Sequence, residues 1–329
     1  MGYIQVSVII PVFNSEKYLP ALFGSLQQQK DVFFEVIAIN DGSTDSSLEL
    51  LKHYELLIPN MMVINQRNMG LSCARNAGIK QAQGKWIMFM DSDDILMPNT
   101  IVAWLNYAEN NQLDVLIGNG FRFNSFPEDM GKIPITSFQP YGDIITGKQW
   151  IEYAVINNEW PHYVWLQMIK LDILKTKGLR FIAGQLHEDI LWTTRLALVA
   201  KRVGFHKEPL YGYRKNNNSI INTLSQEVIF RRIECYINII NEFVIVSNEY
   251  ESEPKLYKAL LRQANRESGH FRGLLKNVLF DKVKQRQFAI KFLQLNIFHR
   301  LLVGAYGVGD VWIVVRLYLT LLYLSFRKL

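Results

Sequence analysis

The run Trp86-Ile87-Met88-Phe89-Met90, followed at once by Asp91-Ser92-Asp93-Asp94, is the feature that most limits what this chain can become. Large apolar side chains in unbroken succession, without helical spacing, describe a strand buried on both faces. Such strands belong to α/β sheets, whose carboxyl ends open into the crevice where ligands bind. Three carboxylates within four residues repel one another unless a cation or hydrogen bonds hold them. An all-oxygen set suits Mg2+ or Mn2+ better than zinc. A plainer reading stands beside it: Asp94 caps a helix that begins near Ile95-Leu96.

The same pattern recurs upstream. Val6–Asn14 is a β-branched run broken by Pro11, a buried strand leaving its sheet, with Asn14 or Ser15 as the cap of a helix carrying Tyr18, Leu22 and Leu26. Phe34–Asn40 is a second strand, ending in Asp41-Gly42-Ser43-Thr44-Asp45. Asp41 stands at a strand end before a glycine turn, where a carboxylate accepts from a nucleobase or ribose. Ser43 or Asp45 serves as the cap of the helix through Leu48, Leu51 and Tyr54. Met61–Asn65 is a third strand. In Asn68–Ile79, small residues at Gly70, Ser72, Ala74, Ala77 and Gly78 let a helix lie close to the sheet. Arg75 among them is placed to grip a diphosphate or base, and Gly84 is expected to end that helix.

These stretches together resemble the family-2 glycosyltransferases of the GT-A type. The likeness rests on Ser7–Asn14, Asn40–Asp45, Asn68–Gly78 and Met88–Asp94, in that order, tightly over about the first 120 residues and loosely to about residue 220. It implies an α/β GT-A fold, a Rossmann-like nucleotide-binding mixed sheet flanked by helices, followed here by a C-terminal helical extension. The implied donor is a nucleotide-diphosphate-sugar, usually uridine-linked, with Mn2+ or Mg2+ on its phosphates. By motif position, Asp41 would meet the uridine. Pro11, Phe13 and Asn14 would line the nucleotide pocket. Asp91 and Asp93 would hold the metal, with Ser92 between them and Asp93 the more direct ligand. Glu16 matches an acid common in such enzymes, without a role that can be assigned.

Val115–Phe123 reads as a further strand, and Asn124–Gly142 as loop, its prolines excluding a long helix. Trp160–Trp165 is expected to precede a helix. Trp165 resembles the family's tryptophan on the acceptor side, which stacks on sugars or fills core, and His162 reads as a structural or acceptor-contacting residue. Glu188-Asp189 opens an apolar helix, where acids also serve as first-turn caps. The pair matches the family's acid motif, which makes Asp189 the general base and Glu188 its support. An alcohol becomes a nucleophile as its proton leaves, and a carboxylate in reach contributes roughly 10²–10⁴-fold by taking it. Tyr213, Arg214, Lys215 and Ser219 match a segment that closes over the donor phosphates.

With 329 residues, 49% hydrophobic and 20% charged, the chain suits one large α/β domain with an appendage, or two modest domains. The division expected is a transferase domain over 1–222 (1–120 for the nucleotide-sugar, 121–222 for the acceptor) and a helical region over 223–329. Charge divides the same way: from Glu251 onward there are 14 Lys/Arg against 5 Asp/Glu, a net of +9 in a chain of net +6. Basic charge interleaved with apolar residues points to a membrane surface, not to nucleic acid. Val311–Phe326 is short for a span of about 20 residues. It fits a helix lying in the interface, with Trp312, Tyr318 and Tyr323 at headgroup depth and Arg327-Lys328 on anionic lipid. Packing on the domain or in a homo-oligomer is the alternative.

The two cysteines, Cys73 and Cys235, form no metal or disulfide pattern. Met1–Gln5 runs into the first strand with no basic-then-apolar leader, so the chain is expected in the cytoplasm, peripheral on the inner face of the membrane. The expectation is an inverting transfer of one sugar to a hydroxyl of a saccharide, polyprenyl-diphosphate-linked, as in bacterial O-antigen, capsule or lipopolysaccharide synthesis. A processive synthase would carry Q-x-x-R-W beyond the base, which is absent. A dehydrogenase needs G-x-G-x-x-G after its first strand, and this chain has Pro11-Val12-Phe13-Asn14. A sugar nucleotidyltransferase typically has a glycine-rich basic loop there. A non-catalytic sugar- or lipid-binding relative would be expected to lack Asp93 or Asp189, and both are present.

Overall fold

The computed structural model describes residues 3–124, 132–215, 225–277 and 280–327. The chain divides into two units: Met1–Trp150 with Pro161–Asn216, and Ile151–Trp160 with Asn217–Leu329. A short inner segment thus joins the second unit, and the expected border at 222/223 lies outside the described residues.

In chain order the first unit runs β1 (Val6–Val12), α1 (Leu19–Gln27), β2 (Phe34–Asp41), α2 (Ser47–Leu57), β3 (Met61–Gln66), α3 (Leu71–Gln81), β4 (Trp86–Phe89), β5 (Ile95–Leu96), α4 (Thr100–Asn110) and β6 (Val115–Phe123). Helix α5 (Gly147–Ile156) is divided between the units, and β7 (Gln167–Lys170), α6 (Leu171–Thr176), α7 (Glu188–Val199) and β8 (Val203–Arg214) follow. The strands form one sheet of order β3-β2-β1-β4-β7-β6-β8-β5. The β3-β2-β1-β4 half is parallel, and β7 joins it antiparallel to β4. Every residue of β1 and β4 is buried: β4 is apolar throughout, and the one polar residue of β1, Ser7, donates its hydroxyl to Glu35 Oε1 at 2.5 Å. Each of the apolar side chains contributes roughly 1.5–3 kcal/mol by burial.

Pro11 shows how this sheet opens at one end. The carbonyl of Ile9 accepts from Met90 N–H, so alternate residues of β1 turn toward β4. Pro11, two residues on, faces the same way, beyond the last pairing of the two strands at Ile9 and Phe89. A proline is tolerated in this central strand because no carbonyl waits for its missing N–H. The gap it faces lies where β4 departs into the acid turn.

Several local expectations are corrected. Helix α1 starts at Leu19 after Tyr18, with no side-chain cap, because Asn14 and Ser15 are engaged elsewhere and Pro20 sets the first turn. The cap residue of α2 is Ser46, although Asp45 Oδ1 does accept from Ser47 N–H. Helix α3 ends at Gln81, and Gly84 instead lies against β1, where a Cβ would stand 2.6 Å from Ser7 N. Asp94 caps no helix: the two residues after it form β5, paired with β8. Trp165 lies within a 3-10 turn, Val164–Leu166, that leads into β7 and not directly into an α-helix.

The second unit contains α8 (Gln226–Asn248), α9 (Pro254–Asn277), α10 (Lys282–Leu293), α11 (Phe298–Val303) and α12 (Val308–Phe326). Helices α8 and α9 pack as a hairpin, with Ile233, Ile237, Ile240 and Phe243 of α8 buried together with Leu256, Leu260 and Leu261 of α9. The terminal helix is three residues longer at its start than the expected Val311–Phe326.

Candidate active site

The carboxyl ends of β1 and β2 are sewn together first. Asn14, in the left-handed region at φ 49°, donates its N–H to Ser43 Oγ at 3.0 Å and accepts at Oδ1 from Thr44 N–H at 2.8 Å. Ser15 N–H donates to Ser47 Oγ, and Ser15 Oγ meets Ser92 Oγ at 2.6 Å. Glu16 completes a reciprocal clasp: its N–H donates to Asp45 Oδ2 and its Oε2 accepts from Ser46 N–H. Burial works against the Asp45 carboxylate, but hydrogen bonds from Ser47 and from Glu16 N–H hold its pKa below the usual range. The acid at position 16, without a role in the sequence, thus fixes the rim of the crevice. Phe13 stands half exposed on it.

Asp41 at the end of β2 is buried. Its Oδ1 accepts from Gln66 Nε2 and Met69 N–H, and its Oδ2 from Gly70 N–H. Its visible work is to hold the entry to α3. Gly42 beside it has φ 72°, and a Cβ there would come within 2.6 Å of Asn68 N, so only glycine fits.

The acid turn is built from both sides. Asp94, fully buried, accepts from Tyr211 O–H at 2.8 Å and from Arg214 N–H at 2.8 Å. Tyr211 Oη accepts in turn from Asp91 N–H. Burial, and then the charges of Asp91 and Asp93, push the Asp94 carboxyl well above the ordinary range. The antiparallel pairing of β5 with β8 is what delivers Tyr211 to Lys215 to this turn. Arg214 Nε donates to the Asp93 carbonyl at 2.8 Å, and its guanidinium lies 4.4 Å from the Phe123 ring. Tyr213 stacks on Trp165 at 5.3 Å, nearly parallel, and Trp165 also stacks on Tyr163 and Tyr211. Trp165 is therefore a buried member of an aromatic pile, with its ring faces taken by tyrosines. His162 offers its carbonyl to Thr193 Oγ1. Lys215 is exposed, with its N–H on the Phe123 carbonyl. Ser219 lies outside the described residues.

The second acid pair arrives on α7. His187 precedes that helix with φ 57°, and Glu188 and Asp189 form its first turn, where the helix dipole favours negative charge. The Arg75 guanidinium of α3, only 3% exposed, joins the two acid groups: Nη2 donates to Asp91 Oδ1 at 2.9 Å and Nη1 to Glu188 Oε1. Burial alone would lower the Arg75 pKa, but the charges of Glu188, Asp91 and Asp189 outweigh it and raise it. Its Nε–H is buried without a hydrogen-bond partner among the described residues. Asp189 makes no ion pair among the described residues. Burial and then the Glu188 charge push its pKa well above the usual range, with Arg75 opposing.

An aromatic floor keeps the two groups in register. Phe89, the last residue of β4, meets Phe181 and Trp192 edge-on, and Phe181 and Trp192 stack at 3.9 Å. Asn76, next to Arg75, exchanges two hydrogen bonds with the backbone of Phe181. Gln167 of β7 ties down α7 through Thr193 Oγ1 and Trp192 Nε1. Tyr211, Phe181 and Trp192 carry no sequence signal of a site. Asn76 had one, its place beside the lone arginine.

Among the described residues no group of three or more His, Cys, Asp or Glu is arranged to hold a metal. A hard cation bound by one or two carboxylates plus substrate phosphates needs no such group. Asp91 and Asp93, both half-buried at the mouth of the crevice, fit that kind of site.

A parallel half-sheet with acids at its switch point thus faces a second acid pair on a helix start, with Arg75 between them. A family model described as glycosyl transferase family 2 matches residues 7–162. EpsH of Bacillus subtilis (strain 168) is 30% identical over 235 residues, 70% of this chain and 67% of EpsH. The chain belongs to that family. It is also similar to the uncharacterized glycosyltransferase YibD of Escherichia coli (strain K12), 35% identical over 217 residues, which are 66% of this chain and 63% of YibD. Residues 1–349 of S. aureus TarS, in complex with UDP-GlcNAc, share the fold with a TM-score of 0.68 at 20% identity, over 99% of this chain and 93% of that one.

Proposed function

We propose that the chain transfers one sugar from a UDP-sugar to a hydroxyl of a saccharide acceptor, with inversion at the anomeric carbon. The observation that carries this is the bridge of Arg75 between Asp91 and Glu188, which brings the acid turn and the helix-borne acids to one site. Asp189, beside that bridge but outside it, keeps a raised proton affinity. It is the group suited to take the acceptor's proton as the hydroxyl attacks. Glu188 supports it by occupying Arg75, which would otherwise pair with Asp189 and lower its basicity.

Asp91 and Asp93 would hold Mn2+ or Mg2+. Such an ion, when bound, neutralises charge on the departing nucleoside diphosphate. Arg214, whose Nε holds the Asp93 carbonyl, is assigned to the phosphates together with Tyr213, Lys215 and Ser219 by motif. Pro11, Phe13 and Asn14 line the nucleotide side. Asp41, whose Oδ2 accepts one hydrogen bond among the described residues, is assigned to the uridine. The acceptor is assigned as a polyprenyl-diphosphate-linked saccharide of surface polysaccharide synthesis, met at the inner face of the cell membrane. The basic charge of the C-terminal region supports that placement.

The test is Mn2+-dependent hydrolysis across a panel of UDP-sugars by the purified chain. One UDP-sugar should be turned over, and Asp93→Ala should weaken its binding only when the metal is present. Binding of UDP-sugar that calorimetry finds independent of any divalent metal would remove the metal assignment.

A further inference from the structure

Helix α12 has two apolar stripes on opposite sides, and the second unit covers only one. Val314, Leu317, Leu321 and Leu324 are buried at helical spacing, packed with α9 and α10. The opposite stripe, equally regular, is Val308, Val311, Trp312, Val315, Leu319, Leu322, Tyr323 and Phe326. Here Val308 is 89% exposed, Leu319 57%, Tyr323 65% and Phe326 81%. A soluble surface helix would put polar residues at these positions. An unbroken apolar stripe about 28 Å long, from the 1.5 Å rise per residue, marks a contact surface.

Its charges say what the contact is. Arg316, the one basic residue of α12, flanks the stripe, its guanidinium 5.2 Å from the Trp312 ring. Asp310, the single acid of α12, is neutralised by Arg262 Nε at 2.8 Å. Arg272 Nε donates to Thr320 Oγ1 and Arg286 Nε to the Ser325 carbonyl, adding two cations along the helix. Two copies of this face related by a twofold axis would set Arg316 against Arg316, because the residue lies at the centre of the helix. Anionic lipid complements the same face, with aromatic rings at headgroup depth and arginines on phosphate.

The helix is also stapled down along its length. Asn265 Nδ2 reaches the Asp310 carbonyl near its start, Arg272 its middle and Arg286 its end. Crossing a bilayer would break all three and expose the buried stripe. We infer that α12 lies flat on an anionic membrane surface and inserts the Val308–Phe326 stripe, without spanning. This deepens the membrane-side placement proposed above and rests on it.

Flotation of the full chain with phosphatidylglycerol/phosphatidylethanolamine vesicles tests this, with phosphatidylcholine vesicles for comparison. The chain should float with the anionic vesicles and be released by alkaline carbonate. The double variant Leu319→Glu/Tyr323→Glu should lose binding by about tenfold or more. As a milder probe, brominated lipid should quench wild-type tryptophan fluorescence more than that of Trp312→Phe. No flotation, equal flotation of the double variant, equal quenching, or resistance to carbonate would each overturn the inference. So would a dimer in size exclusion that the double variant dissolves. Flotation without UDP-sugar hydrolysis supports this inference and counts against the transferase reading; hydrolysis without flotation does the reverse.

Discussion

The acid turn after β4 and the acid pair opening α7 reach the same place by opposite means. The turn is over-determined: Asp94 holds a tyrosine hydroxyl and a backbone N–H, and Arg214 grips the Asp93 carbonyl from the neighbouring strand. The pair on α7 depends on one cation from another helix, Arg75, and on rings packed beneath it. In the turn, the most buried acid does structural work. On the helix, Glu188 takes the bond to Arg75, and Asp189, which makes no ion pair among the described residues, is the acid proposed for chemistry. Burial raises the proton affinity of both Asp94 and Asp189, so a shifted pKa alone does not tell a structural acid from a reactive one. Their partners do.

The strongest way to break this contrast is Arg75→Ala, which strands Glu188 and Asp91 together. It should cost about 3–5 kcal/mol in urea unfolding and abolish turnover, whereas Arg75→Lys, lacking the fork, should restore stability only in part. Next comes Asp189→Asn. Turnover should fall roughly 10²–10⁴-fold with UDP-sugar binding and thermal stability kept, and unchanged turnover would take Asp189 out of the base role. Asp94→Ala should show the converse: a loss of about 1–3 kcal/mol from two stranded donors, read in the melting curve, with a smaller effect on turnover than Asp189→Asn.

The smallest effect is also the most discriminating. Asp189 serves as a base only when deprotonated, and its pKa is raised, so turnover should climb with pH along a limb above the ordinary aspartate range. Removing the Glu188 charge frees Arg75 to act on Asp189, so Glu188→Gln should move that limb to lower pH. A limb that stays put, or moves up, would mean that Glu188 does not tune the base. The sign for stability is the reverse of that for rate: a carboxyl with a raised folded pKa favours the fold below its unfolded pKa, and that contribution is lost as pH rises through the folded value.

Much of this was legible in the sequence because it is local. The buried β1, β2, β4 and β6 strands follow from mainly apolar, β-branched and aromatic runs, and motif order singles out Asp91 and Glu188, which Arg75 joins. The reasons for the misses are equally physical. Asn14 and Ser15 look like helix-start residues, yet their hydrogen bonds go to the Ser43–Ser47 turn, a partner some thirty positions away in the chain. Arg75 reads as a ligand for a diphosphate or base, and its bond to Glu188 could not be read from sequence, because the two stand on different helices far apart in the chain. Trp165 and Tyr211 become one stack only through the pairing of β6, β7 and β8, which no local spacing encodes.

The meeting of the two acid groups on one sugar carbon is tested most directly by a crystal structure of the chain with its UDP-sugar and Mn2+, the metal located by anomalous scattering. The account predicts the ion beside Asp93, the anomeric carbon between it and α7, and the Asp189 carboxylate on the face opposite the diphosphate. An anomeric carbon whose open face looks away from Asp189, toward solvent or another acid, would contradict it.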